Sequence, residues 1–391
     1  MNYDAFVTKQ FSAIMFGKGM RKQIGKKLAA KGVRKALIIT DSFLYTSGTA
    51  DGIAQSINRE GIETVIYAGA QPENPAEVVE ECAAFAKKKQ AEAFVGVGGG
   101  SVMDLAKTAR ILMSNPSPIS TYYDMSLRRV HSHIPMILVP TTAGTSSEIS
   151  HGAMVYDKEN QLKRGFTGED LAADIACVDP ELCRGMPAKV TATVGMDCFC
   201  HVAESVTCAV NTNPLTMLCA KKALSLIKKS LPKAIEDGDD MENRNNMSLA
   251  CVLAGIAFES CPPHMGHSLG HTVGAMYHIP HGEACGVFLA PVIKLAAQTK
   301  TEQVKMIGET LGVVFEGTET EDMIGKKTSD EIRRLYRQTG CRSINEIIDP
   351  EDIEKIAEQA LADPSMRVAP VHATKELIVE MIKNEMEESG N

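Results

Sequence analysis

No run of about 18 apolar residues occurs in this chain, so no helical membrane span is expected. The opening MNYDAFVTKQF also lacks the charged-then-apolar pattern of a signal segment. Basic clusters are scarce: Lys26-Lys27, Lys87-Lys88-Lys89 and Lys228-Lys229 are short, separated runs on a chain of net charge −8. An acidic surface without a compensating basic patch excludes nucleic acid or an anionic membrane as the main partner. The eleven cysteines are scattered, with no paired CxxC sets, which argues against a disulfide framework or a thiolate metal cage and for free thiols in a reducing compartment. Internal repeats, low-complexity tracts and long Pro/Ser linkers are likewise missing. A cytoplasmic protein is expected.

What is present is ordinary globular composition, 44% hydrophobic and 23% charged, over 391 residues. That length is long for one core, so two domains are expected. In the first part, the short apolar runs KALIIT (35–40), ETVIYAG (63–69), EAFVGVGGG (92–100) and PMILVPT (135–141) alternate with amphipathic segments at 43–58, 76–89 and 102–113. Strands alternating with helices predict βαβ units and a parallel, doubly wound sheet with ligands at the carboxyl ends of its strands. After about residue 185 every segment reads with helical period. The chain therefore divides into an α/β domain, 1–184, and an all-helical domain, 185–391.

Two loops of the first half have the residues of a polar-ligand site. The run Phe94-Val95-Gly96-Val97 enters Gly98-Gly99-Gly100-Ser101, and a helical pattern follows. Glycines at a strand-to-helix turn admit a pyrophosphate to the backbone, and the helix N-terminus favours its charge. In a Rossmann unit an acidic ribose binder follows the glycines; here the acid that ends a strand, Asp41, precedes them, so that fingerprint does not apply. Pro140-Thr141-Thr142-Ala143-Gly144-Thr145-Ser146-Ser147-Glu148, directly after the strand at 135–139, offers hydroxyls to the same kind of ligand or, equally, forms a turn and helix cap.

The second half carries the most informative residues. Asp197 and His201 lie four apart, as do His267 and His271, so on helices each pair projects from one face. A lone pair of this kind is commonplace. Here, however, six of the ten histidines are His201, His264, His267, His271, His278 and His281, and Gly282 follows Pro280-His281 in a turn that would fix a ligand at a helix end. A carboxylate with imidazoles suits Fe²⁺ or Zn²⁺ in a Lewis-acid role, with one histidine left to move protons. No Glu lies between His267 and His271, which sets a zincin aside.

Taken together, Val97-Gly98-Gly99-Gly100-Ser101-x-x-Asp104-x-x-Lys107, the loop 140–148, Gly195-Met196-Asp197-x3-His201 and His267-x3-His271-x9-His281-Gly282 resemble the iron-containing (group III, metal-dependent) alcohol dehydrogenases over nearly the whole chain. The resemblance implies a dinucleotide-type α/β domain followed by a helical metal-binding domain, with NAD(P) in the cleft and Fe²⁺ or Zn²⁺ on the helical side. It implies Asp197, His201, His267 and His281 as ligands and His271 as a proton-relaying residue. It places Gly98, Gly99, Gly100 and Ser101 at the pyrophosphate, Thr141, Thr142 and Thr145 along the cofactor, Lys163 near the nicotinamide ribose and Asp41 on the adenosine ribose. A carboxylate there would repel a 2′-phosphate and favour NAD(H) over NADP(H). A homodimer or larger assembly is implied as well.

The chain departs from the family around the substrate. Cys261-Pro262-Pro263-His264 replaces a small or apolar stretch, Ala369-Pro370-Val371 replaces Asn-Pro-Arg with Arg367 just before, and the Gly-Thr-Gly/Ala-Ser loop reads Gly144-Thr145-Ser146-Ser147. If His264 and Arg367 face the pocket, a hydroxylated, carboxylated or sulfonated small aldehyde is expected over a simple alkanal. Gly152 and Phe258 complete the candidate substrate contacts. The competing readings are a dehydroquinate-synthase-like lyase, which would need a Lys/Arg cluster for a phosphate, and a nucleotide-binding sensor without turnover.

Overall fold

The computed structural model describes residues 6–8, 12–123, 132–160 and 162–389. They form two compact units, residues 10–183 and residues 184–391, with residues 6–8 grouped with the second unit. No helix among the described residues is long and apolar enough to cross a membrane.

The first unit is built on six parallel strands, β1 (Ala13–Phe16), β2 (Lys35–Asp41), β3 (Glu63–Ala70), β4 (Ala93–Gly98), β5 (Met136–Pro140) and, last in the chain, β8 (Ile175–Val178), in the order β1-β8-β5-β4-β2-β3. A separate antiparallel hairpin joins β6 (Gly152–Asp157) and β7 (Leu162–Thr167). Helices α1 (Ile24–Ala29), α2 (Ser42–Thr46), α3 (Thr49–Asn58), α4 (Ala76–Lys89) and α5 (Gly100–Ser114) supply the crossovers. Successive strand residues bury opposite faces: Leu37, Ile39, Phe94 and Leu138 pack with α4 and α5, whereas Ile38, Val95, Val97 and Val139 pack with α1 and α3. Burial on both faces explains the near-continuous apolar runs of these strands. The four strands expected from sequence are present. The four-residue strands β1 and β8 and the hairpin were not anticipated, being too short or too polar to read as apolar runs.

The topology sets where a ligand can lie. From β2 the chain goes to β3 on one side and returns to β4 on the other, so the carboxyl ends of β2 and β4 flank the crevice of the switch point.

The second unit is helical: α6 (Ala188–Thr207), α7 (Pro214–Glu236), α8 (Met241–Ser260), α9 (Met265–Tyr277), α10 (His281–Ala296), α11 (Thr301–Leu311), α12 (Glu321–Gln338), α13 (Ile344–Ile347), α14 (Ile353–Ala362) and α15 (Lys375–Ser389). Helix α6 packs against α7, α8 and α10 and is buried along nearly its whole length after its first turn. A helix enclosed on all sides has no wet face for its polar residues, so those on α6 need partners within the fold.

Candidate metal centre and nucleotide loops

Three helices of the second unit deliver the expected ligands. Asp197 and His201 project from α6, His267 from the first turn of α9, and His281 is the first residue of α10, behind the N-cap Pro280. Helix α10 begins hard against α6: a Cβ on Gly282 would stand 1.9 Å from the Thr193 carbonyl oxygen and 2.9 Å from Asp197 Cβ. His281 thus lies at a helix end, as the Pro280-His281-Gly282 turn suggested, and the glycine also allows the close approach of two helices.

The donor atoms gather around one carboxylate oxygen. Asp197 Oδ1 lies 3.8 Å from His201 Nε2, 3.7 Å from His267 Nε2 and 3.6 Å from His281 Nε2. These separations exceed a hydrogen bond and approach the roughly 3.3 Å that separates two donors each about 2.0 Å from a tetrahedral ion. Asp197 Oδ1 and His267 Nε2 are buried without a hydrogen-bond partner among the described residues. Orphaned buried polar atoms are costly, and a shared cation satisfies both at once. The donor set therefore fits a divalent ion. Burial alone would push the Asp197 carboxyl up, but His201, His281 and His267 hold it well below the usual carboxylate range. Burial would likewise lower His267, yet Glu204 and Asp197 raise it to about 9.

One thiol joins this group. Asp197, His267, His281 and Cys285 offer donor atoms all within 4.8 Å of one another, and Cys285 Sγ is 3.7 Å from the His281 ring nitrogens. His201 sits at the edge of the cluster, its ring stacked 4.7 Å from that of His267 and 4.7 Å from Phe258. Phe258, a candidate substrate contact, is thus a wall of the His201 ring.

His271 occupies the more open side, with a quarter of its side chain exposed. Its ring stacks on His281 at 5.3 Å, and its Nδ1 bonds Asp363 Oδ2 at 2.8 Å. Burial would raise the Asp363 carboxyl, but the bond to His271 holds it below its ordinary value. An ionised carboxylate only accepts, so Nδ1 donates and Nε2 keeps its lone pair. Asp363 in turn accepts from Ser365 N at 2.8 Å, at the start of the 3-10 turn Pro364–Val368 that packs on α9.

The substrate candidates fare unequally. His264 is fully enclosed, with Nε2 3.0 Å from Thr207 Oγ1 and Nδ1 3.2 Å from Glu204 Oε1, and burial lowers its pKa. The condition that it faces an open pocket is not met: as the N-cap of α9, His264 is enclosed beside Glu204 and Thr207. Arg367, on the 3-10 turn beside Asp363, is exposed. Gly152 opens β6 in the first unit, and its carbonyl accepts from buried Lys107 Nζ at 2.6 Å.

In the first unit, Gly98 ends β4 and pairs with Pro140 at the end of β5, so the two loops expected to serve the cofactor are neighbours. Thr141 N donates to Gly98 O at 3.0 Å, Thr142 lies beside Gly99 and Thr145 beside Gly100, and α5 starts at Gly100. Ser101 Oγ accepts from Glu73 N at 3.1 Å, Lys163 pairs with Glu73 at 2.9 Å, and Asp41 Oδ1 caps α2 through Leu44 N at 2.8 Å.

Glu204, Cys285 and Asp363 were missed from sequence. Glu204 follows Asp197 by seven, on the same helical face, and Cys285 follows His281 by one turn, so both had a readable signal. Asp363 had none, lying in a separate segment that only folding brings to His271.

Comparison with known proteins agrees with this geometry. The family model described as iron-containing alcohol dehydrogenase matches residues 12–180, and that for the C-terminal part of the Fe-containing alcohol dehydrogenase family matches residues 191–386. The chain is 32% identical over 374 residues to the NAD-dependent methanol dehydrogenase of Bacillus methanolicus, covering 95% of this chain and 97% of that one. Among solved structures, an alcohol dehydrogenase from Oenococcus oeni superposes with a TM-score of 0.92 at 29% identity, covering 97% and 100% of the two chains. A sulfoacetaldehyde reductase from Bifidobacterium kashiwanohense, in complex with NAD+, does so with a TM-score of 0.89 at 26% identity, covering 97% and 98%.

Proposed function

This chain belongs to the iron-containing alcohol dehydrogenase family, and from that premise we propose that it interconverts a short polar or anionic aldehyde and its alcohol with NAD(H). The convergence of Asp197, His201, His267 and His281, with two buried donor atoms left unbonded, carries the reading. In this proposal residues 1–184 hold the dinucleotide and residues 185–391 the metal. When bound, the divalent ion supplies Lewis acidity at the substrate oxygen and the nicotinamide supplies the hydride acceptor or donor.

The chain's own residues do the rest. Asp197 provides the negative charge that a cation needs, and His201, His267 and His281 provide neutral imidazole donors; Cys285 lies within reach of the same point. His271 takes the hydroxyl proton at Nε2 during oxidation and returns it during reduction, directly or through a water. Asp363 keeps that nitrogen available by occupying Nδ1. Gly98 to Ser101 and the start of α5 bind the pyrophosphate, Thr141, Thr142 and Thr145 line the cofactor, and Lys163 and Asp41 bond the two riboses.

The substrate class rests on Arg367, an exposed guanidinium on the turn that positions His271 through Asp363. Arg suits carboxylate and sulfonate because its planar fork binds them bidentately. Similarity to the sulfoacetaldehyde reductase supports the same class. With His264 enclosed, Arg367 alone carries this part of the proposal. NADH oxidation by Fe²⁺- or Zn²⁺-loaded protein across neutral and anionic short aldehydes tests it. Turnover that a chelator abolishes is expected, with anionic aldehydes preferred; bound metal and NADH without turnover on any aldehyde would overturn it.

A further inference from the structure

We infer that Glu204 is a positioning residue that fixes the tautomer and ring orientation of His267 from behind, and so sets metal affinity. The inference deepens the reading of Asp197, His201, His267 and His281 as ligands and rests on it.

Glu204 lies seven residues after Asp197 on α6 and is fully enclosed. A carboxylate in such a place is tolerated only if its oxygens are fully engaged. They are: Oε1 accepts from Gly266 N at 2.6 Å and from His264 N at 3.2 Å, and Oε2 is in short contact with His267 Nδ1. Gly266 and His264 supply amides at the start of α9, where a helix leaves N–H groups unsatisfied and favours negative charge. The N-cap residue of α9, His264, makes no side-chain cap bond. A side chain from a different helix therefore caps α9 and holds its first ligand in one stroke.

The surroundings are shaped to this carboxylate. A Cβ on Gly266 would stand 3.0 Å from Oε1 and 3.1 Å from Cδ, so a larger residue just before His267 would press on it. His264 fills the space behind, 3.2 Å from Oε1 on one side and 3.0 Å from Thr207 Oγ1 on the other. With Nδ1–H donated to Glu204, Nε2 is the nitrogen left to give its lone pair to a cation, and it faces Asp197, 3.7 Å away. Histidine ligands held this way are fixed in tautomer and direction by the partner of the other nitrogen.

Glutamine is nearly the same shape but cannot do this. Both ends of the carboxylate face donors, whereas an amide has one accepting end and one donating end. If its oxygen stays with the α9 amides, its NH₂ group faces His267 Nδ1, and that nitrogen can accept only if the imidazole proton moves to Nε2, where it blocks ligation. If it turns over, the α9 amides lose their acceptor.

The test is a titration of metal-free protein with Zn²⁺ against a chromophoric chelator, with the visible spectrum of the Co²⁺ form as a second readout. Wild type, Glu204→Gln, Glu204→Asp and Asp197→Asn are compared, with far-UV circular dichroism and its thermal transition as the control for folding of the helical unit. Glu204→Gln is expected to weaken Zn²⁺ binding about 10- to 100-fold and alter the Co²⁺ spectrum while the folded state is kept, and Glu204→Asp to recover part of the loss. Zn²⁺ affinity of Glu204→Gln equal to wild type, while Asp197→Asn loses the metal, overturns the inference and leaves the metal centre standing. Wild type that takes up no metal, or Asp197→Asn that binds like wild type, overturns the metal centre and this inference with it. If Glu204→Gln does not fold, Gly266→Ala crowds the same carboxylate and is expected to weaken Zn²⁺ binding severalfold; unchanged affinity there overturns the inference.

Discussion

The metal centre and the nucleotide loops are built on opposite principles. Asp197, His201, His267 and His281 are side chains from three helices, converging on a point where buried Asp197 Oδ1 and His267 Nε2 have no hydrogen-bond partner among the described residues. At the ends of β4 and β5 the side chains are small, and the nearby Asp41, Ser101 and Lys163 already have protein partners in Leu44, Glu73 and Glu73. A site made of converging side chains depends on each of them; one made of a loop's backbone tolerates the loss of any one side chain. The first stores its function in a few atoms and the second in the shape of a turn.

This contrast can be broken by substitution. The largest effect is expected at the ligands: Asp197→Ala or His267→Ala should lower kcat/KM on the order of 10³-fold or more, given the several kcal/mol a Lewis acid contributes. Metal content by elemental analysis should fall in parallel, with NAD+ affinity kept; active, metal-free variants would refute the division of labour. Next comes Asp363→Asn, in which an amide that keeps its oxygen on Ser365 N turns a donor toward His271 Nδ1 and so drives the imidazole proton to Nε2; it should reduce kcat about 10- to 100-fold at unchanged metal content. A loss of metal instead would make Asp363 part of the metal shell.

Asp41→Ala sharpens the other half. It should weaken NAD+ binding about tenfold, the value of a hydrogen bond to a charged group, and narrow the preference over NADP+, as read by fluorescence titration of both cofactors. Metal affinity should not move. The smallest effect is expected for Arg367→Leu, which should raise KM for anionic aldehydes about three- to tenfold, since an exposed ion pair is screened by solvent. KM for neutral aldehydes is the internal control; an equal rise in both would assign Arg367 to packing.

The difference between the two regions also governs what could be read in advance. The strands β2, β4 and β5 appear as apolar runs because burial on both faces leaves their pattern no choice, whereas β3, at the sheet edge, is only half-buried. The glycine turn and the Asp197/His201 and His267/His271 spacings are equally local. What the local pattern of Gly282 does not reveal is that its smallness also answers to the Thr193 carbonyl of another helix. Whether His264 faces a pocket is likewise not legible in the sequence, because only packing encloses it.

Helical period and motif spacing thus marked out the two-part organisation and the chain positions of the candidate donors for a divalent ion, since each depends on residues within a few turns of one another. Only tertiary structure decided that Asp363 holds His271 and that Glu204 caps α9 while holding His267. Those contacts span tens of residues of chain. No local periodicity encodes them, because a carboxylate takes whichever donor the packing of the helices brings to it.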